Sequence, residues 1–182
     1  MKKIDLRSDT VTLPTEGMFN AISNADLGDD VFNEDPTINH LEELAAKTFN
    51  KAAALFVPSG TMANLVAVLS HCQRGDEVIL GDQSHTFLYE AGGISAFGGI
   101  HSRQLSNQED GTIEIEDIKN AIRKDDVHFP PTRLICLENT HNRCFGMPIS
   151  VGYTNSVAEI AKNNSLDIHI DGARIFNAAV AS

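Results

Sequence analysis

The sequence predicts an α/β fold, a mostly parallel sheet with helices on both faces. Three observations carry this. Short apolar runs alternate with segments of helical periodicity from residue 37 onward. The polar residues of interest fall just after the apolar runs, on the rim where open sheets bind ligands. At 182 residues the chain can bury one real core but is short for a two-domain enzyme.

Residues 1–36 are polar and turn-rich and read as an N-terminal arm, with one helical candidate near Pro14–Asn24. The remainder, 37–182, reads as a single domain. Asp35-Pro36-Thr37 opens a helix over about 37–49, with Ile38, Leu41, Leu44, Ala45 and Phe49 on one stripe. Ala53–Val57 reads as a short apolar strand, and Pro58-Ser59-Gly60-Thr61 as a turn. A helix follows over Met62–His71 with Leu65, Val66 and Leu69 inward. Glu77–Leu80 is the next strand, followed by the loop Asp82-Gln83-Ser84-His85. Thr86–Ala91 reads as a short helix stopped by Gly92-Gly93. His101–Leu105 is a strand and Asn107–Gly111 a turn. An amphipathic helix over Ile115–Arg123 and a strand over Arg133–Leu137 come next. Asn155–Asn163 is a helix, Leu166–Ile170 the fifth strand, and Ile175–Ala181 a final helix.

The composition is that of a globular protein, 42% hydrophobic and 21% charged. A formal charge of −11, with scattered acids, argues against nucleic-acid and membrane-surface partners. Met1-Lys2-Lys3 has no apolar run behind it, so no signal peptide is expected, and no stretch is long enough to span a bilayer. Three cysteines, Cys72, Cys136 and Cys144, lack CxxC spacing, which fits free thiols in a reducing cytoplasm.

Asp171 follows the last apolar run, so its carboxylate faces the ligand crevice, and Arg174 lies three residues on. That pair suits a cofactor with a basic ring nitrogen and a substrate with a carboxylate. Ser59-Gly60-Thr61 joins a strand to a helix, where free amides and hydroxyls make either an ordinary cap or an anion site. The GxxxxGK and GxGxxG patterns are absent. His85 follows a strand and reads as a surface histidine, a stacking ring or an acid/base. His128 sits in a proline-stiffened loop with the same alternatives. His169 shares a face with Asp171 and reads as a packed histidine. His169-x-Asp171 has no third ligand near it in sequence, so no metal is expected.

Six motifs in order resemble the low-specificity L-threonine aldolases, β-eliminating lyases of pyridoxal-phosphate fold type I. They are Asp5–Thr12, Gly28-Asp29-Asp30-Val31, Ser59–Asn64, His85 with Glu90-Ala91-Gly92-Gly93, Glu138–Asn142 and His169–Asn177. The resemblance implies that Ser59, Gly60 and Thr61 hold the cofactor phosphate. His85 stacks on the ring of pyridoxal 5'-phosphate and Asp171 pairs with its nitrogen. Ser8 and Arg174 bind the amino-acid carboxylate, and His85, His128 or a water they hold takes the hydroxyl proton. It also implies a cytoplasmic homodimer or homotetramer that cleaves L-threonine or L-allo-threonine to glycine and acetaldehyde.

The family's cofactor-anchoring lysine follows the Asp-x-x-Arg strand end by a further helix and strand, and no lysine follows Arg174 here. The small C-terminal domain is missing as well. The sequence is therefore expected to be an incomplete large domain, inactive and marginally stable alone, with strand 53–57 deprived of its sheet neighbour. A non-catalytic truncated product, or another lyase or aminotransferase on this scaffold, is the alternative reading.

Overall fold

A computed structural model describes residues 4–182, so Met1-Lys2-Lys3, on which the signal-peptide reading rests, lies outside the described residues. The described chain divides between Phe56 and Val57 into two compact units.

The first unit holds helices α1 (Glu16–Ser23) and α2 (Pro36–Thr48). Thr15 caps α1 and Asp35 caps α2. The Asp35 carboxylate accepts from the amides of Ile38, Gly28 and Thr37. Those donors, Ile38 foremost, hold its carboxyl below the usual range. Gly28 has no alternative residue, because a Cβ there would meet the Glu34 carbonyl oxygen at 2.1 Å.

The second unit is a four-stranded parallel sheet in the order β2-β1-β3-β4. Its strands are β1 (Glu77–Gly81), β2 (His101–Leu105), β3 (Thr132–Glu138) and β4 (Asp167–Asp171). Every residue of β1 is buried, as a central parallel strand requires. Alternation sorts the core into two layers. Ile79, Ile135 and Leu137 face helices α6 (Ile115–Ala121) and α7 (Val151–Asn163). Val78, Leu80, Leu134 and Cys136 face helix α3 (Gly60–His71) and the single turn α5 (Gly93–Ala96). The expected α/β class, with helices on both faces, is what the structure shows.

Ala53–Val57 is not a strand. It joins no ladder, and Leu55 and Phe56 are exposed. The run is apolar but pairs with neither edge strand of the sheet, β2 or β4, so four strands replace the expected five. The turn over Thr86–Ala91 is also shorter than expected. Helix α4 spans His85–Leu88, and Gly92, at φ +64°, begins α5 instead of closing a longer α4. Helix α8 spans Ile175–Ala181. Among the described residues no helix is long and apolar enough to cross a membrane.

The amino end of β1 carries an ionic cluster. Glu77, with no exposed surface, accepts from Arg123 Nε at 3.3 Å and Thr132 Oγ1 at 3.3 Å, with Arg103 Nη1 at 3.7 Å and His101 Nε2 at 3.4 Å. Arg123 also lies over the Phe129 ring, 4.9 Å from its centroid. These charges anchor β1, β2 and β3 at the end of the sheet away from the strand carboxyl ends.

Candidate functional site

The strand order reverses direction between β1 and β3: the chain leaves β1 toward β2 and then returns past β1 to β3. A crevice opens at the carboxyl ends of strands at such a point. Glu138, the last residue of β3, spans it. Its buried carboxylate accepts from the His85 amide at 2.7 Å and the Asn142 amide at 2.9 Å. Glu138 also stands in register with Asp171 on β4, and Asn139 N–H donates to the Asp171 carbonyl at 2.9 Å.

Helix α3 approaches the same rim. Ser59 caps it through Oγ, which accepts from Met62 N–H at 3.1 Å, and the Ser59 carbonyl accepts from Ala63 N–H. The Gly60 and Thr61 amides therefore project from the helix end without intrahelical partners. Nothing lies within 4 Å of where a Gly60 Cβ would be, so the turn borders open space. Four residues on, or about 6 Å along the helix axis, Asn64 is buried. Its Nδ2 donates to Asp171 Oδ2 at 2.9 Å and to Glu90 Oε1 at 2.7 Å. Its Oδ1 lies 2.8 Å from His169 Nε2. Both amide hydrogens go to carboxylates, so the oxygen must face His169, and that imidazole must carry its proton on Nε2. Burial pushes the His169 imidazole below its usual range.

Glu90 Oε1 also meets His85 Nδ1 at 2.9 Å, and Tyr89 tilts against the same ring at 5.5 Å between centroids. Ligand atoms of His85, Glu90 and Asp171 lie within 4.8 Å of one another. That spacing would fit a single cation, yet Asn64 and internal hydrogen bonds already engage the three groups. Asp171 Oδ1 accepts from Ala173 N–H at 3.2 Å.

The structure thus gathers Gly60, Thr61, His85 and Asp171 of the expected residues around one helix end and one sheet rim. Arg174 is half-buried at the start of α8. His128 is exposed, its Nδ1 2.7 Å from Asp126 Oδ1. Ser8 belongs to the first unit, where its Oγ accepts from Thr10 N–H. Three residues acquire parts that the sequence reading did not give them: Asn64, Glu90 and Glu138. For Glu138 the signal was present, since a residue that ends a central strand points into the crevice as Asp171 does.

His141 is 1% exposed, and neither ring nitrogen has a hydrogen-bond partner. Burial pushes it below its usual range, against the pull of Glu138, whose Oε2 is 3.9 Å away. The thiols are inert by the same physics. Cys72 is pushed up to about 11 by burial, and Cys136 is pushed up further.

A family model described as Beta-eliminating lyase matches residues 5–182. The chain is 55% identical over 184 residues to a probable low-specificity L-threonine aldolase 2 of Arabidopsis thaliana, covering all of this chain and 52% of that protein. It is 47% identical over 178 residues to a low specificity L-threonine aldolase of Escherichia coli K12, covering 98% and 53%. The chain spans about half the length of the curated relatives it matches. Among solved structures it resembles a putative L-allo-threonine aldolase of Listeria monocytogenes at 24% identity and a TM-score of 0.70, over 86% of this chain and 43% of that one.

Proposed function

The chain belongs to the beta-eliminating lyase family, and from that premise we propose that residues 57–182 form the cofactor cradle of a pyridoxal-phosphate enzyme cleaving L-threonine or L-allo-threonine to glycine and acetaldehyde. One observation carries the reading: Asn64 ties the helix that presents the Gly60 and Thr61 amides to the Asp171 carboxylate, 2.9 Å away. The helix end and the carboxylate are thereby joined through a residue about one helical turn in from the cap.

The donor set fits the cofactor. Ser59, Gly60 and Thr61 would hold its phosphate by amides and hydroxyls at a helix start with its positive dipole end. Asp171, its orientation fixed by Asn64 and Ala173, would take a charge-assisted hydrogen bond from a protonated ring nitrogen. When bound, pyridoxal phosphate supplies an electron-withdrawing ring able to take up the electron pair of a breaking Cα–Cβ bond.

The chain's own residues would do the rest. Arg174 would grip the amino-acid carboxylate through its planar fork and so orient the bond to be broken. His85, anchored at its amide by Glu138, would lie against the ring and take the hydroxyl proton, with His128 as the second imidazole of this reading. Among the described residues of 57–182, no lysine is placed in the network of Asn64, His85, Glu90 and Asp171. Lys119 pairs with Glu116 on α6, and Lys162 lies exposed in the last turn of α7.

Calorimetric titration with pyridoxal phosphate tests the reading. One equivalent should bind, and Asp171→Ala should weaken binding tenfold or more, about 1.4 kcal/mol. Binding indifferent to Asp171→Ala removes its basis. Borohydride reduction followed by peptide mapping should leave no stoichiometric adduct on Lys119, Lys124 or Lys162. Acetaldehyde release from L-threonine, assayed with pyridoxal phosphate present, checks the substrate.

A further inference from the structure

Glu90 is an enclosed acid of the site, 5% exposed, and one of its oxygens receives two contacts: Asn64 Nδ2 at 2.7 Å and His85 Nδ1 at 2.9 Å. Asn64 has no freedom in this arrangement, because its second hydrogen is committed to Asp171. The Glu90 carboxylate is thus held in place from the helix side and presents its oxygen to the His85 ring. His85 is fixed a second time, at its backbone, by Glu138.

We propose that Glu90 is a positioning residue for His85: it keeps the imidazole proton on Nδ1 and so leaves Nε2 as the bare, basic nitrogen of the ring. An ionised carboxylate is an acceptor only, so the nitrogen it meets must be the one that bears hydrogen. A neutral imidazole then has its lone pair on the other nitrogen. Free imidazole side chains in water favour the opposite arrangement, with hydrogen on Nε2, so the tautomer is a choice imposed by the protein. The chemistry benefits directly. A ring meant to accept a proton from a substrate hydroxyl must arrive with its outward nitrogen unprotonated, and a ring meant to lie flat on another must be prevented from turning about χ2. One short bond to Nδ1 does both. Asn64 adds a further consequence. It ties Glu90 to Asp171, so the group that would meet the cofactor nitrogen and the group that orients the imidazole share one amide.

The proposal rests on the reading of His85 as the imidazole of the site, but its test needs no cofactor. Long-range proton–nitrogen correlation spectra of the full chain, labelled with ¹⁵N-histidine at pH 8, report the tautomer of each ring. The His85 signals are identified by their loss in His85→Gln. The wild type should show hydrogen on Nδ1. In Glu90→Ala the two ring-nitrogen resonances should exchange places as the proton moves to Nε2. Glu90→Gln should keep the wild-type pattern, since its one carbonyl oxygen can accept both hydrogens. If Glu90→Ala does not fold, Glu90→Asp replaces it, its carboxylate withdrawn by one methylene, with the same shift expected. A wild-type ring protonated on Nε2 overturns the proposal, and so does a ring unchanged in Glu90→Ala or Glu90→Asp. Failure of pyridoxal phosphate to bind the wild type would instead strike the functional reading and leave the tautomer result standing.

Discussion

Asn64→Ala removes one small side chain and disconnects three groups. The lost contacts are 2.7 Å to Glu90, 2.9 Å to Asp171 and 2.8 Å to His169. Hydrogen bonds to charged groups contribute about 1.5–3 kcal/mol each and a neutral one about 0.5–1.5, a gross loss of roughly 4–7 kcal/mol. Part of this returns. Asp171 keeps the Ala173 amide, Glu90 keeps His85, and β4 is partly exposed, so water reaches two of the three partners. A net cost of about 3 kcal/mol remains, mostly from the enclosed Glu90. Urea unfolding at pH 7.5, followed by circular dichroism, reads it. With a slope of about 2 kcal/mol per molar urea, the midpoint should fall by about 1.5 M. Ser156→Ala, on the exposed side of α7, should move it by no more than about 0.25 M. An Asn64→Ala midpoint within that same margin would refute the network as a source of stability. Adding Glu90→Ala to Asn64→Ala should cost less than the two single losses together, because the partners share one bond.

Two more outcomes can be checked on the same chain. Gly111 and Gly75 both have positive φ, +86° and +93°, but a Cβ at Gly111 would sit 2.6 Å from His141 Cβ, whereas Gly75 faces open space. Gly75→Ala should cost about 1 kcal/mol from the backbone alone, and Gly111→Ala about 3 once the enclosed His141 is crowded; equal midpoints in thermal unfolding would contradict this. His141 and His169 both titrate below their usual range through burial, so the unfolded chain takes up protons first as pH falls through about 6.5. Stability is fully present above that value and declines below it, by up to about 1.4 kcal/mol per pH unit for each ring. His169→Gln should roughly halve the slope between pH 6.5 and 5.5, and a wild type equally stable at both values is the result that would not fit.

Much of this architecture is legible in the residues. Glu77–Leu80, Arg133–Leu137 and Leu166–Ile170 each lie within about one residue of the observed strands: the largely buried β1 and β3 are continuous apolar runs bounded by polar turns, and the partly exposed β4 alternates apolar with polar residues. Ala53–Val57 has the same appearance and is not a strand. An apolar run specifies that a segment wants cover, while a ladder also needs an edge to pair with, and that partner is not written in the segment itself. The site divides in the same way. Asp171 and the 59–61 turn stand out because strand ends and helix starts carry direction. Glu138 shares that strand-end signal, whereas Asn64 and Glu90 appear in the sequence as ordinary polar residues, and the partners of all three are hidden there. Their importance comes from sharing partners across 26, 53 and 107 positions of chain, a relation that only the folded topology creates.

Strand β1 begins at Glu77, clasped by two arginines, and finishes at Gly81, where Asn107 presses so close that a Cβ would meet its Oδ1 at 2.1 Å. Four steps of about 3.3 Å separate these ends by some 13 Å. Robustness and reactivity therefore occupy different floors of one strand. An engineer, or natural drift, can rewrite the lower floor wholesale, exchanging the entire ionic clasp for apolar residues of equal volume, and leave the upper floor undisturbed.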